Sequence, residues 1–251
     1  GGAEKVTKVT ALWRHPIKSH GREALTRVTL TQGRSMPYDR LWAIAHDAAK
    51  ADGSEWVACQ NFSRGSKSPA LMAINATLDE AAETLTLTHP DRPDLTVQPD
   101  TQGAALLDWV RPLVDAARAQ PAKVMRLDQR GYTDTPYASV SLCSQSSQSD
   151  LERLTAAPLQ SERWRGNIWF EGSAPWEEFN WIGRELRLGT TRLRVEEPIQ
   201  RCMATTANPH TGVRDVDTLK ALNMLGHQNF GIYATVIETG DVALGDQLEL
   251  I

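Results

Sequence analysis

The feature that most constrains this chain is the shape of its first hundred residues. From Val6 to Gln98 apolar side chains arrive in short runs, several of them alternating, closed by Gly, Pro, Asn, Asp or Ser. Runs of that kind bury one face of an extended strand, so this part of the chain is confined to a barrel or a sandwich. Strands are predicted at Val6–Trp13, Leu25–Leu30, Leu41–His46 and Trp56–Ala58. Leu71–Leu78 and Thr84–Thr88 flank an acidic turn as a hairpin, and Thr96–Gln98 is a further short strand. One helix breaks the pattern. Leu106, Leu107, Val110, Leu113 and Val114 recur at helical spacing within Ala104–Ala119, and Pro121 stops the run. Pro112 inside it predicts a kink or a division.

The remainder is strand-rich again. Lys123–Leu127, Ser139–Leu142, Asn167–Phe170, Trp181–Leu188 and Thr191–Ile199 read as strands, and Asp217–Asn223 as a short helix. Tyr233–Glu238 and Gln247–Ile251 are expected to pair across T-G-D-V-A-L-G-D as a closing hairpin. The expected fold class is mostly β with some helix (α+β). A boundary near residues 100–120 is expected, where the composition turns from basic to acidic.

That turn is visible in the charges. Residues 1–70 hold eleven Lys/Arg against six Asp/Glu, a surplus of five, whereas the whole chain stands at −4, leaving the rest at −9. Scattered cations of this kind are either a solvated face or a cationic pocket for an anionic ligand. Nucleic acid is disfavoured, because the cations do not share one predicted helix and the pI is about 5.9. No apolar run approaches the roughly 20 residues of a membrane span, so no membrane partner is expected. Gly1-Gly2 without a Met reads as a cloning remnant. Three well-separated cysteines without a C-x-x-C pair argue against a disulfide framework, a zinc ribbon and an iron–sulfur cluster, and fit a reducing, cytoplasmic setting. The sequence contains no phosphate loop, no G-x-G-x-x-G, no H-E-x-x-H and no G-x-S-x-G elbow.

Two local patterns carry chemistry. Cys202 follows Arg201 at the end of the Thr191–Ile199 run, and a guanidinium beside a thiol favours the thiolate, the form that ligates soft metals. The plain alternative is a small buried hydrophobe. Ser144-Gln145-Ser146-Ser147 precedes a helix, where it is either an ordinary N-cap or an anion cradle. Cys59 and Cys143 read as structural, since neither has a cationic neighbour in the sequence.

Five segments then occur in a recognisable order: H-P-I-K-S-H-G (15–21), Y-D-R-L-W (38–42), Y-T-D-T-P (132–136), R-G-N-I-W-F-E-G (165–172) and I-G-R-E-L-R-L-G…R-C-M-A-T-T (182–206). Over nearly the whole chain this order resembles the MOSC family with an N-terminal β-barrel domain, the group that includes the mitochondrial amidoxime-reducing components. The resemblance implies an N-terminal β-barrel-like domain at 3–110 and a C-terminal MOSC β-barrel domain at 111–251. It implies molybdenum cofactor (Mo-molybdopterin), with Cys202 as the metal's protein ligand. The implied cofactor contacts are Lys18, Ser19, Arg40, Arg165, Asn167 and Arg201, with Ser144, Ser146 and Ser147 at a helix start. Gly166 within the R-G-N segment is read as harmless.

The implied activity is a molybdenum-dependent oxidoreductase acting on a small-molecule substrate, an N-hydroxylated or N-oxide compound, independent of pyridoxal phosphate. Because the chain stops at its last predicted hairpin, electrons are expected from a separate ferredoxin-, flavodoxin- or cytochrome b5-like protein. The alternative is a cofactor-binding or sulfur-carrier module using Cys202 as a persulfide. Loops 60–69 and 173–180 are expected to build the mouth of the site.

Overall fold

Extended segments dominate the computed structural model, which describes residues 6–50, 53–128 and 130–251. Gly1, Gly2, Gln129 and the expected domain start at residue 3 lie outside the described residues. In chain order the first strands are β1 (Lys8–Arg14), β2 (Glu23–Leu25), β3 (Arg27–Leu30), β4 (Trp42–His46), β5 (Asn75–Asp79), β6 (Thr84–His89) and β7 (Arg92–Val97). Helix α1 (Gly103–Val110) leads to β8 (Pro121–Arg126) and β9 (Val140–Ser144), then α2 (Gln145–Glu152) and β10 (Ile168–Glu171). The chain finishes with β11 (Glu185–Leu188), β12 (Thr191–Gln200), α3 (Thr218–Met224), β13 (Asn229–Glu238), β14 (Gly240–Ala243) and β15 (Leu248–Leu250).

The fold is mostly β, as expected, with a curled half-barrel as its main sheet. That sheet has eight strands in the order β15-β11-β12-β13-β9-β10-β1-β2. Alternation explains its core: Leu193 and Val195 of β12, Ile232 and Ala234 of β13, and Val140 and Leu142 of β9 are buried in one cluster with Ile168 and Phe170. Each such side chain contributes about 1.5–3 kcal/mol on burial. A second core gathers Trp42, Ile44, Leu85, Leu87, Val97, Leu106 and Val110 beneath the β5-β6-β7 meander and the β4–β8 pair. Because β1 and β2 join the main sheet, the early chain is built into the same layer as β9 to β13.

Four expectations need correction. The Leu25–Leu30 strand divides at Thr26: β2 pairs with β1, and β3 with β14. Trp56–Ala58 is not a strand; Trp56 is held by Nε1–H donating to the Thr133 carbonyl at 2.8 Å and by Arg130 5.2 Å over its ring. The helix at 104–119 ends as α at Val110 and continues only as a 3-10 turn to Leu113, since Pro112 offers no N–H. The closing hairpin does not form. The intended linker contains its own strand, β14, which buries Val242 against β3, so β13 pairs with β12 and β9 while β15 crosses to β11.

Candidate functional site

β12 delivers Cys202. Its pairing with β13 slips between Val195 and Glu197 and again between Pro198 and Gln200. Such bulges bend a strand and re-aim its side chains, and they accommodate Pro198, which has no N–H for the ladder. Beyond Gln200 the chain leaves the sheet, and Cys202, extended at φ −121°, heads a 3-10 turn over Met203–Thr206. Thr205 Oγ1 donates to the Cys202 carbonyl at 3.1 Å, and Arg214 clasps the turn through the Met203 carbonyl at 2.7 Å. The thiol is exposed and borders a cavity of about 510 Å³.

The guanidinium of Arg201 does not attend that thiol. It donates to the carbonyls of Phe230 (2.8 Å) and Trp164 (2.9 Å), lies 5.5 Å over the Trp164 ring, and reaches Cys143 Sγ at 3.9 Å. Successive side chains of extended backbone point to opposite sides, so adjacency in sequence separates this pair in space. The reason given for reading the other thiols as structural, the lack of a cationic neighbour, fails as well. Cys143 has Arg201, and Cys59, which borders the cavity, accepts from Arg64 Nη1 at 3.1 Å. Burial pushes the Cys143 thiol up to about 12, Arg201 opposing, so it is inert at neutral pH.

The H-P-I-K-S-H-G segment and Asp39-Arg40 supply cations to the same cavity. Lys18 N donates to the Trp42 carbonyl (2.8 Å), and His20 Nδ1–H to the Lys18 carbonyl (2.6 Å), which fixes the turn at Ser19. Arg40 N donates to the His15 carbonyl (2.6 Å) and Tyr132 N to the Arg40 carbonyl (2.8 Å). Gly131, at φ +70°, permits this approach, since a Cβ there would fall 2.5 Å from the Asp39 carbonyl. Ser19, Arg40 and Arg165 all border the cavity and all have positive φ (65°, 52° and 49°). Such conformations cost about 1–3 kcal/mol each and cluster where backbone is held for function.

Charge is unevenly matched here. Lys18, Arg40, Arg64, Arg163, Arg165 and Arg201 line the cavity against Asp134 and Glu197. Lys18 Nζ pairs with Asp134 at 2.5 Å and donates to the Tyr132 carbonyl; Arg40 pairs with Asp39 at 2.6 Å; Arg163 pairs with Asp215 at 2.7 Å. Burial would raise Asp39, but Arg40 beside it and the hydrogen bond from His15 hold it well below the usual carboxylate range. Asp134 is held low in the same way by Lys18 and Arg40, although its own side chain stays 57% exposed toward the cavity. Arg165 has no carboxylate partner among the described residues; burial and the neighbouring Arg40 push it down to about 9. An uncompensated cation in a cavity wall gives it a positive potential that attracts anions.

The fold thus brings Lys18, Ser19, Arg40, Arg165, Asn167, Arg201 and Cys202 to one cavity. Asn167 borders it with its amide already occupied: Oδ1 accepts from Ser141 N and Oγ, both at 3.1 Å, and Nδ2 donates to the Trp13 carbonyl. Ser144, Ser146 and Ser147 do not line it. Ser144 Oγ caps α2 by accepting from Ser147 N at 3.2 Å, and Ser147 Oγ donates to buried Glu178 at 2.7 Å. Both serine side chains are therefore engaged within the protein rather than offered to a ligand. Of the two expected mouth loops, 60–69 contributes Arg64, Gly65 and Ser66, and 173–180 contributes nothing to the cavity lining. Asp134, Glu197 and Tyr233 are cavity residues that sequence reasoning did not single out; Asp134 sits in the quoted Y-T-D-T-P segment, and the other two had no local signal.

The donor set sets the chemistry. Among the described residues no three His, Cys, Asp or Glu side chains converge as a metal cluster. What the cavity offers is one exposed thiol and a surplus of cations, which fits an anionic organic group carrying a soft metal whose other ligands are its own.

A half-barrel sheet joined to a barrel-like β domain around such a cavity defines a class. Residues 6–139 match the MOSC N-terminal beta barrel domain and residues 129–249 the MOSC domain. The chain belongs to the MOSC proteins that carry this N-terminal domain. It is similar to mitochondrial amidoxime-reducing component 1 of Mus musculus, 22% identical over 99% of this chain and 83% of that protein. With mitochondrial amidoxime reducing component 2 of Homo sapiens it shares 30% identity over 48% of this chain, spanning only 39% of that relative. A stretch covering 45% of this chain is 31% identical to molybdenum cofactor sulfurase of Drosophila mojavensis, of which it spans 16%. Among solved structures, the YUAD protein from Bacillus subtilis aligns over 98% of this chain and 95% of that chain, at 12% identity and a TM-score of 0.47.

Proposed function

We propose that this chain is a molybdenum-cofactor-dependent oxidoreductase that reduces N-hydroxylated or N-oxide compounds with electrons from a separate donor protein. The observation that carries the reading is the placement of exposed Cys202 on the same cavity as the unpaired cation Arg165 and the Lys18 and Arg40 groups. The relatives named amidoxime-reducing components support the substrate class. Cys202 Sγ would supply a thiolate to the metal. Lys18 Nζ, the Arg40 guanidinium and the Arg165 guanidinium would hold the anionic tail, with the β12 bulge setting the position of Cys202 on the cavity. The cofactor, when bound, supplies the two-electron exchange that removes oxygen from the substrate. Removing oxygen from an N–OH group consumes two electrons and two protons and releases water.

We infer the division 3–110 and 111–251 as the two structural units, with both contributing to the cavity. A reducing, cytoplasmic setting completes the proposal; among the described residues no helix is long and apolar enough to cross a membrane.

The test uses protein loaded with molybdenum cofactor and an artificial electron donor. Reduction of benzamidoxime to benzamidine, lost in Cys202→Ser together with bound molybdenum, is the expected result. Stoichiometric molybdenum with benzamidoxime left untouched would overturn the reductase assignment. A second reading follows from exposed Cys202 and the stretch similar to a molybdenum cofactor sulfurase: a persulfide on Cys202 without metal would establish a sulfur carrier instead.

A further inference from the structure

A second cavity of about 170 Å³ adjoins the first and shares Arg64 with it. Buried Phe62 and Val114 give it apolar walls, Ser63 and Ser68 stand among them, and Arg64, Lys67 and Arg118 bring positive charge. No Asp or Glu lines it. Two acids adjoin lining residues in sequence: Asp47 is exposed, and Asp115 turns its carboxylate to its own backbone, accepting from Ala117 N at 3.0 Å. Lys67 and Arg118 make no ion pair among the described residues. A guanidinium has five N–H donors; one from Arg64 goes to Cys59 Sγ, and the others meet no protein acceptor among the described residues. His46 is spent, with Nε2–H donating to the Gln60 carbonyl at 2.6 Å and Nδ1 accepting from Ala48 N.

Ser63 is the independent observation. The residue is 6% exposed, and its hydroxyl is fully enclosed with no hydrogen-bond partner. Buried hydroxyls are nearly always satisfied, because leaving one unpaired costs about 1–3 kcal/mol. Ser68 accepts from Asp115 N at 3.0 Å and keeps its O–H free to donate. Three unpaired cations and two hydroxyl donors select an anion, and the Phe62–Val114 walls select a hydrocarbon body beside it.

We propose that this pocket binds a small carboxylate with a compact apolar body, its head group on Arg64, Lys67 and Arg118 and its body against Phe62 and Val114. The site shares Arg64 with the Cys202 cavity but does not depend on the reductase assignment.

Benzoate is the probe, titrated into the full chain while backbone amide NMR shifts are followed. Saturable shifts at residues 60–68 and 114–119 are expected, with Lys67→Glu and Arg118→Glu each weakening binding at least tenfold. Both side chains are exposed, so neither change threatens folding. Arg165→Ala should leave the affinity unchanged. Benzyl alcohol binding as tightly as benzoate would overturn the anionic head, and inorganic phosphate binding as tightly would overturn the apolar body. Benzoate shifts confined to the larger cavity and abolished by Arg165→Ala would overturn the site altogether.

Discussion

Arg165 shows how strain and charge are placed on one residue. Its backbone sits at φ +49°, which glycine would adopt more easily, and its guanidinium meets only carbonyl oxygen, Ile17 O at 3.4 Å. Nothing in the folded chain by itself favours an arginine there; a bound anion would. Arg165→Gly is therefore expected to hold or raise the melting temperature, by an amount reflecting about 1 kcal/mol of relieved strain, while cofactor retention falls at least tenfold. Thermal melts and molybdenum content check it. A variant that melts far lower with its metal intact would make Arg165 scaffold. Lys18 should behave differently, because its removal strands Asp134 and the Tyr132 carbonyl and so costs stability as well. Both cations were legible from the sequence only through the resemblance; the carboxylate partner of Lys18, Asp134, lies 116 residues away.

At the scale of elements, β9, β10 and β13 meet around Cys143, which is wholly buried. A Cβ on Gly166 would fall 2.6 Å from Cys143 Sγ, and one on Gly231 3.0 Å away. Gly166, harmless by pattern alone, is where the chain passes this sulfur on its way into β10. Gly166→Ala should destabilise by about 1–3 kcal/mol, and Cys143→Ala in the same chain should recover much of the loss. Urea melts of the single and double variants decide it; strictly additive effects would show that the two positions are not in contact. Helix α2 teaches a related lesson. Its start was legible as a serine N-cap, but the partner of the Ser147 hydroxyl, Glu178, lies 31 residues further on.

For the whole molecule, two histidines in the 15–21 segment that carries Lys18 and Ser19 make stability sensitive to acid. His15 and His20 are fully buried; burial, with Arg40 and Arg165 for the first, lowers His15 to about 3, and burial lowers His20 to about 4. Unfolded histidines titrate near ~6.5. Between those values the unfolded chain binds more protons, so stability is complete above that pH and falls as the pH drops toward 4. The slope is about 1.4 kcal/mol per pH unit for each histidine. Urea midpoints should thus decline from pH 6.5 to 4.5, before most carboxylates titrate, and His20→Gln should make that decline shallower. A midpoint flat to pH 4.5 would refute this account. Burial is the main cause of the acid sensitivity, and the cavity's Arg165 adds to it at both histidines.

By itself the sequence determined the fold class, most strand positions, the division of the first helix at Pro112 and the order of segments that marks the family. Each of these is carried by local signals: alternation, a missing N–H, or short runs of residues whose spacing is read directly. Only the tertiary structure decided where β13 and β15 pair, which thiol Arg201 faces, and that Ser147 bonds to Glu178 rather than lining the cavity. Those outcomes depend on hydrogen bonds and charges between residues tens of positions apart, and on which side of an extended backbone a side chain leaves. No window of sequence short enough to read contains both partners.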